Sequence, residues 1–287
     1  MGRTAGTFGL EVFAAGCGCA VADGTFHPLE TFKVRQQAWS KPLVAVAREM
    51  HADAGGGARG ALAGWWRPGL APTICRAFTY TGFRIGAYPA VRDAYAAREG
   101  VPDLVVRLCA GATTGFVGAF VFNPLDLLRV RLQLAPTRYP TYDVFAGLRA
   151  IARDGGGPAE LWRGWPVSVA RAALLSGSQL ATYDSSKRFF KARLGADEGP
   201  PLHVACSLLS GFVAQLVIQP VDTVKTLVMN TDTAESSPAR FARLARESGP
   251  LALYRGLLPA LMRQGPVMLV QLPLTEQIRR LFGLGYF

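Results

Sequence analysis

The sequence predicts an all-α membrane protein in which one helix–loop–helix unit occurs three times. Three observations predict this fold class: an apolar composition, a proline–acid–base motif that recurs at a fixed interval, and a long uncharged stretch before each copy of the motif. Half of the 287 residues are hydrophobic and 18% are charged, whereas an average soluble protein has about 25% charged residues. The mean hydropathy of +0.20 also favours a membrane protein.

The net charge of +11 raises the question of a nucleic-acid partner. The basic residues are dispersed, and no zinc-finger, RNP or basic-zipper pattern accompanies them, so we expect no nucleic acid to bind. Lys and Arg at the ends of membrane segments, an anionic solute or anionic lipid account better for the excess of positive charge.

Several common functional patterns are missing from the sequence. The five cysteines contain no C-x-x-C pair and lie mostly in apolar runs, so we interpret them as small buried residues rather than disulfides or metal ligands. The three histidines are scattered, and no P-loop or Rossmann glycine pattern occurs, which argues against an enzyme, a metal site or a cofactor. The first ten residues lack the features of a signal peptide, so any targeting information is expected within the mature chain.

One motif occurs three times in equal register. It reads "HPLETFKVRQQ", "NPLDLLRVRLQ" and "QPVDTVKTLVM", and its prolines, Pro28, Pro124 and Pro220, follow one another at intervals of 96 residues. An acid stands two residues after each proline and a base five residues after it, which gives the set Glu30, Lys33, Asp126, Arg129, Asp222 and Lys225. This combination is expected by chance at roughly one position per thousand, so the three copies indicate an internal repeat.

A second landmark follows each motif: "WWRPGLAPTICR", "LWRGWPVSVAR" and "LYRGLLPALMR". Counted from its glycine, an arginine stands at plus seven in every copy: Arg76, Arg171 and Arg263. Positions plus fifteen and plus twenty-three are also polar in every copy, and hold Arg84, Gln179 and Gln271, then Arg92, Lys187 and Arg279. Only the first copy has an extra proline, Pro68, before the glycine, so we expect its turn to be remodelled.

Each unit is therefore predicted to fold as helix, loop, helix. The six spanning helices are expected at about 8–37, 70–96, 103–133, 167–193, 202–230 and 257–282, and an even number of spans places both termini on one side. Small residues four apart in the first helix of each unit let helices approach closely in lipid. The stretches "YDVFAGLRAIARDG" and "SPARFARLARESG" predict amphipathic helices on the membrane surface. One domain, 1–287, then contains repeats at 8–98, 103–194 and 201–283.

These motifs resemble the signature of the mitochondrial carrier family, P-x-[DE]-x-x-[KR]-x-[KR]-x-Q in each of three repeats. The resemblance covers nearly the whole chain and implies a monomeric, pseudo-three-fold barrel of six tilted helices around a central cavity. It also implies transport by alternating access in the mitochondrial inner membrane, with anionic lipid such as cardiolipin at the matrix face. The stretches "CRAFTYTGFRIGAYPAVRD" and "GPLALYRGLLPALMRQGP" are similar to the dicarboxylate, oxoglutarate and uncoupling-protein branch.

The resemblance implies that the motif forms an inner gate. The three prolines are expected to kink the odd-numbered helices, because proline removes an N–H and clashes with the preceding turn. By the family pattern the ion pairs would join Glu30 to Arg129, Asp126 to Lys225 and Asp222 to Lys33, with Gln37 and Gln133 as hydrogen-bonding braces across two of them. In the third copy Met229 cannot act as a brace and Leu227 replaces the second base, so this part of the gate is expected to be the weakest.

An outer gate is implied at the opposite ends of the even-numbered helices. "YDSSK" and "TEQIR" resemble the family's second motif, [FY]-[DE]-x-x-[KR], and the expected residues are Arg92, Asp184, Lys187, Glu276 and Arg279. Pro89 stands where the acid is expected in "YPAVR", so one pair is missing and this side is expected to open more easily. The alternative for all of these charges is an ordinary solvated helix end.

The cavity is expected to bind an anion. An arginine inside a membrane span usually faces a cavity or a partner, and we expect Arg76, Arg171 and Arg263 at one depth, with Arg84 about two turns further along. Such guanidinium groups grip carboxylate, sulfate or phosphate in a bidentate fork. Gln179 and Gln271 either add hydrogen bonds or pack in the core. Asp23, which has no acidic counterpart in the other repeats, is either a structural ion-pair partner or a proton-binding site.

The sequence thus favours a transporter that exchanges dicarboxylates or oxoacids such as malate, succinate or oxoglutarate. Phosphate and sulfate are candidates for the counter-solute. A proton leak of the uncoupling type and a non-transporting membrane protein that keeps the fold are the alternatives.

Overall fold

The computed structural model describes residues 5–39, 41–52, 64–97, 103–136, 138–139, 143–194, 199–230 and 237–282. Within these ranges the chain is almost entirely helical and contains no β-strand. The predicted helical fold class is confirmed at this level. The Gly-rich stretch "GGGARG" and the expected repeat ends at residues 98 and 283 lie outside the described residues.

The helices follow the same order in each of the three predicted units. The first unit contains α1 (Ala5–Thr25), α2 (His27–Trp39), α3 (Leu43–Ala52), α4 (Leu70–Arg76), a π-helical turn (Ala77–Thr81) and α5 (Gly82–Ala96). The second contains α6 (Asp103–Val121), α7 (Asn123–Leu134), α8 (Val144–Asp154), a 3₁₀ turn (Pro158–Trp162) and α9 (Trp165–Leu194). The third contains α10 (Pro200–Asn230), α11 (Ser237–Glu247), a 3₁₀ turn (Pro250–Tyr254) and α12 (Leu257–Leu281).

The long helices pack against their neighbours in chain order. α1 contacts α4, the π-helical turn and α5, α5 contacts α6, α6 contacts α9, and α9 contacts α10. α10 in turn contacts α12, and α12 returns to contact α1. Each long helix therefore has two long neighbours, and the first and last helices of the chain are also in contact.

The signature prolines do not all have the same effect on the backbone. The first helix of unit one breaks between α1 and α2, and that of unit two breaks at Phe122 with a bend of 60° between α6 and α7. Pro28 and Pro124 are the second residues of the new helices, where the missing N–H has no helical partner to lose. In unit three, α10 runs through Pro220 without a break. The kink expected at Pro220 therefore stays a prediction.

The residue before each proline ties the bend to the start of the next long helix. His27, Asn123 and Gln219 are fully buried. The His27 ring Nε2 lies 2.7 Å from the carbonyl oxygen of Pro68, and Gln219 Nε2 donates to the carbonyl of Arg255 at 2.6 Å. Asn123 Nδ2 donates to the carbonyls of two residues, at 3.0 and 3.1 Å: Leu161 and Arg163. All three units use the same tie, because each of these buried polar side chains needs a hydrogen-bond partner.

A left-handed glycine follows each of these ties. Gly69, Gly164 and Gly256 have φ values of 78°, 77° and 77°, a region that is costly for other residues. The first of them keeps this conformation although Pro68 precedes it, so the expected remodelling of that turn does not reach the glycine. The three glycines also fit against the neighbouring unit: a Cβ added at Gly164 would lie 3.3 Å from the side chain of Met229.

Hydropathy alone identifies few of the six expected spans. Among the described helices, Leu202–Asn230 is long and apolar enough to cross a membrane by itself. The bent pair of Val105–Val121 and Asn123–Leu134 is long and apolar enough only when the two helices are taken as one span. The even-numbered spans carry charged side chains such as Arg171 and Arg263 inside their helices, which lowers their hydropathy. The six-span topology therefore stays a prediction.

The two stretches predicted as amphipathic helices form α8 and α11. On α8, Gly147 and Ile151 are buried whereas Phe145 is 83% exposed. This one-sided burial is typical of a helix that lies on a surface, and its contact with a membrane remains a prediction. The interpretation of the cysteines as small buried residues holds for Cys19 and Cys206, whereas Cys17, Cys75 and Cys109 are half-buried.

We expect Gly164→Ala to destabilise the protein by about 1–2 kcal/mol, because alanine is strained in the left-handed region. Gly177→Ala is a matched control, since Gly177 lies in α9 with open space around its Cα and alanine favours a helix by about 0.5–1 kcal/mol. Thermal unfolding of the purified protein in detergent measures both. A Gly164→Ala protein that melts at or above the parent temperature would contradict the assigned backbone role.

Candidate functional site

A cavity of about 380 Å³ lies among the long helices. All of the predicted substrate-binding and inner-gate residues line it: Asp23, Glu30, Lys33, Gln37, Arg76, Arg84, Asp126, Arg129, Gln133, Arg171, Gln179, Asp222, Lys225, Arg263 and Gln271. Seven basic and four acidic side chains face this space, an excess of three positive charges. The electrostatic character of the cavity therefore favours an anion.

Three ion pairs join each unit to the next at one end of the cavity. Lys33 Nζ lies 2.5 Å from Asp222 Oδ2, and Lys225 Nζ lies 2.7 Å from Asp126 Oδ2. The third pair joins Arg129 to Glu30 at 3.3 Å. These are the same three pairs that the family resemblance implies, and together they link three different helices in a ring.

The symmetry-related arginines contact the same three acids. Arg76 forms an ion pair with Asp126, and Arg171 donates a hydrogen bond to Asp222. Each acid is consequently held by two cations, one from the motif of the next unit and one from an even-numbered helix.

The third arginine contacts two acids. Arg263 Nη1 lies 3.2 Å from Glu30 Oε2, and Arg263 also donates to Asp23. Of the two interpretations of Asp23, the contact favours the structural ion pair. Arg263 thus differs from its two counterparts, which hold one acid each. The sequence motif does not show these contacts, because the depth of an arginine relative to an acid on another helix depends on the connecting loops.

Arg84 differs from the other cavity arginines. It is exposed to the cavity on α5, and the ion pairs found between described residues do not include it. Its counterparts Gln179 and Gln271 also line the cavity, and Gln271 Nε2 lies 2.8 Å from the sulfur of Cys19. Arg84 is therefore a positive charge in the cavity that is available to a ligand.

The two glutamines expected to brace the ion pairs bond to threonines instead. Gln133 Nε2 donates to Thr31 Oγ1 at 3.4 Å, and Gln37 Oε1 accepts a hydrogen bond from Thr226 at 2.8 Å. The other amide atom of each side chain has no hydrogen-bond partner among the described residues. In this conformation each carboxylate is already held by two cations, and the brace across the ion pairs stays a prediction. The side chain of Met229, at the equivalent position of unit three, is buried and has no amide group that could form such a hydrogen bond.

The second base of the motif forms a further link between units. Arg35 Nε donates to the carbonyl of Gln133 at 2.8 Å, and Arg131 Nε donates to the carbonyl of Met229 at 3.1 Å. Leu227, in the equivalent position of unit three, has no side-chain donor. The role of this position was not predicted, although a base seven residues after the proline in two of the three motifs was a usable signal.

Four of the expected outer-gate residues do not line the cavity: Arg92, Asp184, Lys187 and Arg279. Arg92 Nη2 lies 2.7 Å from Asp93, its neighbour in sequence. Asp184 and Lys187 are half-buried on α9, and Arg279 is buried on α12. The side chain of Glu276 lies outside the described parts of the structure. The outer gate therefore stays a prediction.

A contact near the expected outer gate was not anticipated from the sequence. His203 Nδ1 lies 2.6 Å from the Tyr183 hydroxyl, and the two rings are stacked. His203 lies in the first turn of α10, and Tyr183 is the aromatic residue of "YDSSK". Besides His27, a second of the scattered histidines thus has a defined partner.

Repeated long helices around a charged cavity are typical of membrane transporters. Residues 101–194 and 197–285 match the family model described as mitochondrial carrier protein. Three relatives support the match over most of the chain. Mitochondrial citrate transporter F of Aspergillus niger is 33% identical over 284 residues, 95% of this chain and 89% of the relative.

The mitochondrial dicarboxylate transporter of Saccharomyces cerevisiae is 31% identical over 262 residues, 88% of this chain and 86% of the relative. Mitochondrial uncoupling protein 5 of Arabidopsis thaliana is 31% identical over 309 aligned positions, 96% of this chain and 98% of the relative. The chain belongs to the mitochondrial carrier family.

Because each acid is shared by two cations, removal of an acid should lower the free energy of unfolding more than removal of a base. Asp126→Asn leaves both Arg76 and Lys225 without a carboxylate, and loss of one partner from a buried pair costs about 3–5 kcal/mol. Lys225→Gln leaves Asp126 paired with Arg76, so we expect a smaller loss. The melting temperatures of the two variants in detergent check this order. Equal shifts, or a larger shift for Lys225→Gln, would show that Asp126 is not shared.

Proposed function

We propose that this protein exchanges small anionic metabolites, specifically dicarboxylates or oxoacids such as malate, succinate or oxoglutarate, across the mitochondrial inner membrane. Phosphate or sulfate is the proposed counter-solute. The observation that carries the proposal is the cavity in which seven basic side chains face four acidic ones. A solute with two negative charges would neutralise most of this excess.

The chemistry of the cavity supports a carboxylate ligand. Arginine binds carboxylate through two parallel hydrogen bonds, which adds geometric selectivity to charge attraction. A cavity of about 380 Å³ is at the small end of the range for ligand sites, about 300–1,000 Å³. Two of the relatives are a citrate transporter and a dicarboxylate transporter, and both of these solutes carry more than one carboxylate.

Our proposed mechanism is competition between the solute and the gate acids for the same arginines. A carboxylate that binds Arg76 or Arg171 withdraws one of the two cations that hold Asp126 or Asp222. Desolvation offsets much of the attraction in a buried ion pair, so the remaining pair contributes only about a few kcal/mol. Solute contacts that are made only during opening supply this free energy and shift the population toward the open state.

The same proposal includes an alternating-access architecture. Six spans, arranged as a pseudo-three-fold barrel of three repeats in one domain, would place both termini on one side. The closed sequence of neighbouring helices, with α12 returning to α1, supports this arrangement. The ion pairs at the motif form the proposed inner gate, and Arg92, Asp184, Lys187, Glu276 and Arg279 form the proposed outer gate. We propose that the protein acts as a monomer with bound anionic lipid and no cofactor.

Reconstitution into vesicles tests the proposal. Vesicles loaded with malate, succinate, oxoglutarate or phosphate should exchange them for external labelled malate, and Arg171→Ala should reduce this exchange at least about tenfold, since loss of a charged hydrogen bond costs about 1.5–3 kcal/mol. Arg149→Ala, which changes an exposed arginine of α8, should exchange like the parent. Full activity in Arg171→Ala would contradict the assignment of the substrate site. No exchange of any anion by the parent would favour a non-transporting protein.

A second candidate, a proton leak of the uncoupling type, is favoured by one carboxylate. Asp23 lies in the cavity, and its counterparts in the other units are Ala119 and Gln215. One relative is named an uncoupling protein. If Asp23 carries a proton, Asp23→Asn should keep anion binding but lose the dependence of anion flux on a pH gradient.

The flux measurement separates the two roles of Asp23. Glu49→Gln, which alters a surface acid of α3, is the matched control and should respond to the gradient like the parent. Asp23→Asn flux that still follows the gradient would leave Asp23 with only its ion-pair role.

A further inference from the structure

The second long helix of unit one contains a π-helical turn that its counterparts lack. Ala77–Thr81 forms this turn between α4 and α5, whereas the equivalent residues 172–176 and 264–268 lie inside the unbroken helices α9 and α12. π-Helical turns are rare and occur frequently at functional sites. The turn begins directly after Arg76, one of the three arginines that hold the gate acids.

Tyr80, within this turn, covers the Arg76 guanidinium. The Arg76 Cζ atom lies 4.5 Å from the centroid of the Tyr80 ring, well inside the range of a cation–π interaction. Tyr80 also lines the cavity, at the level where the other units have Leu175 and Val267. Aliphatic side chains offer no such attraction, so among the three related arginines the aromatic cover belongs to Arg76.

The Tyr80 ring also packs against the second unit. A Cβ added at Gly118 of α6 would lie 3.1 Å from the ring, so the glycine lets the ring pack against the helix. The Tyr80 ring also meets Phe122 edge-on, with centroids 6.4 Å apart. Phe122 is the residue at which α6 bends into α7, four residues before Asp126.

We infer that Tyr80 is a positioning residue for Arg76. It holds the guanidinium toward Asp126 in the closed gate and toward a solute carboxylate in the open one. This inference rests on the proposed anion transport and deepens it, because it makes one of three related arginines a fixed anchor for one end of the solute.

A double-mutant cycle in detergent tests the contact without any transport. Tyr80→Leu should lower the melting temperature in the parent and lower it less in an Arg76→Gln background, where the cation is gone. Tyr80→Phe retains an aromatic face and should melt close to the parent. An equal effect of Tyr80→Leu in both backgrounds would reduce the ring to a packing role and overturn the inference.

Malate uptake by reconstituted vesicles tests the consequence. Tyr80→Leu should raise the KM about 2- to 30-fold, with Vmax nearly unchanged and with recovery in Tyr80→Phe. Phe83→Leu is the matched control, because Phe83 also packs against Phe122 and does not line the cavity; its KM should equal that of the parent.

The outcomes distinguish the inference from the proposed function. A Tyr80→Phe variant as impaired as Tyr80→Leu, or an equal rise in KM for Phe83→Leu, would overturn the role of the ring. A parent that takes up no anion would refute the proposed function, and the melting cycle would then decide the role of Tyr80 by itself.

Discussion

Three buried carboxylates, each shared by two cations, fix the arrangement of the rest of this molecule. Asp126 illustrates the constraint, since Lys225 reaches it from α10 and Arg76 reaches it from α4. A carboxylate has two oxygens, and two cations can satisfy both of them where water is scarce. The helices must therefore be positioned so that both cations reach the same acid. The left-handed glycines and the carbonyl ties contribute to this positioning, because they fix the start of each even-numbered helix.

The motif, three times in equal register, indicated a ring of ion pairs between the units, and the family resemblance implied which acid joins which base. The second cation on each acid was not predictable from spacing. The position of Arg171 relative to Asp222 depends on the turn at Gly164 and on the depth of α9, both of which are set by contacts distant in sequence. The spacing likewise did not indicate that Gln37 and Gln133 bond to threonines of neighbouring units. Local sequence also did not distinguish Pro220, in a continuous helix, from the two prolines beside breaks.

The three units share a plan but differ where they face the cavity. Unit one has Asp23, Arg84 and the π-helical turn, and unit three has Leu227 and Met229 in place of a base and a glutamine. A solute without three-fold symmetry cannot make three equal contacts. Differences of this kind are therefore the means by which a pseudosymmetric cavity can bind one orientation of a small anion.

The ties formed by His27, Asn123 and Gln219 each remain inside one unit. The gate ion pairs, in contrast, all run from one unit to another. A separation between units at the gate would consequently expose charged groups, which water solvates well, and would leave the three ties intact. It would also break the bonds from Arg35 and Arg131 to carbonyls of the next unit. Movement of one unit against another would therefore change the charged contacts of the gate and leave the bend inside each unit fixed.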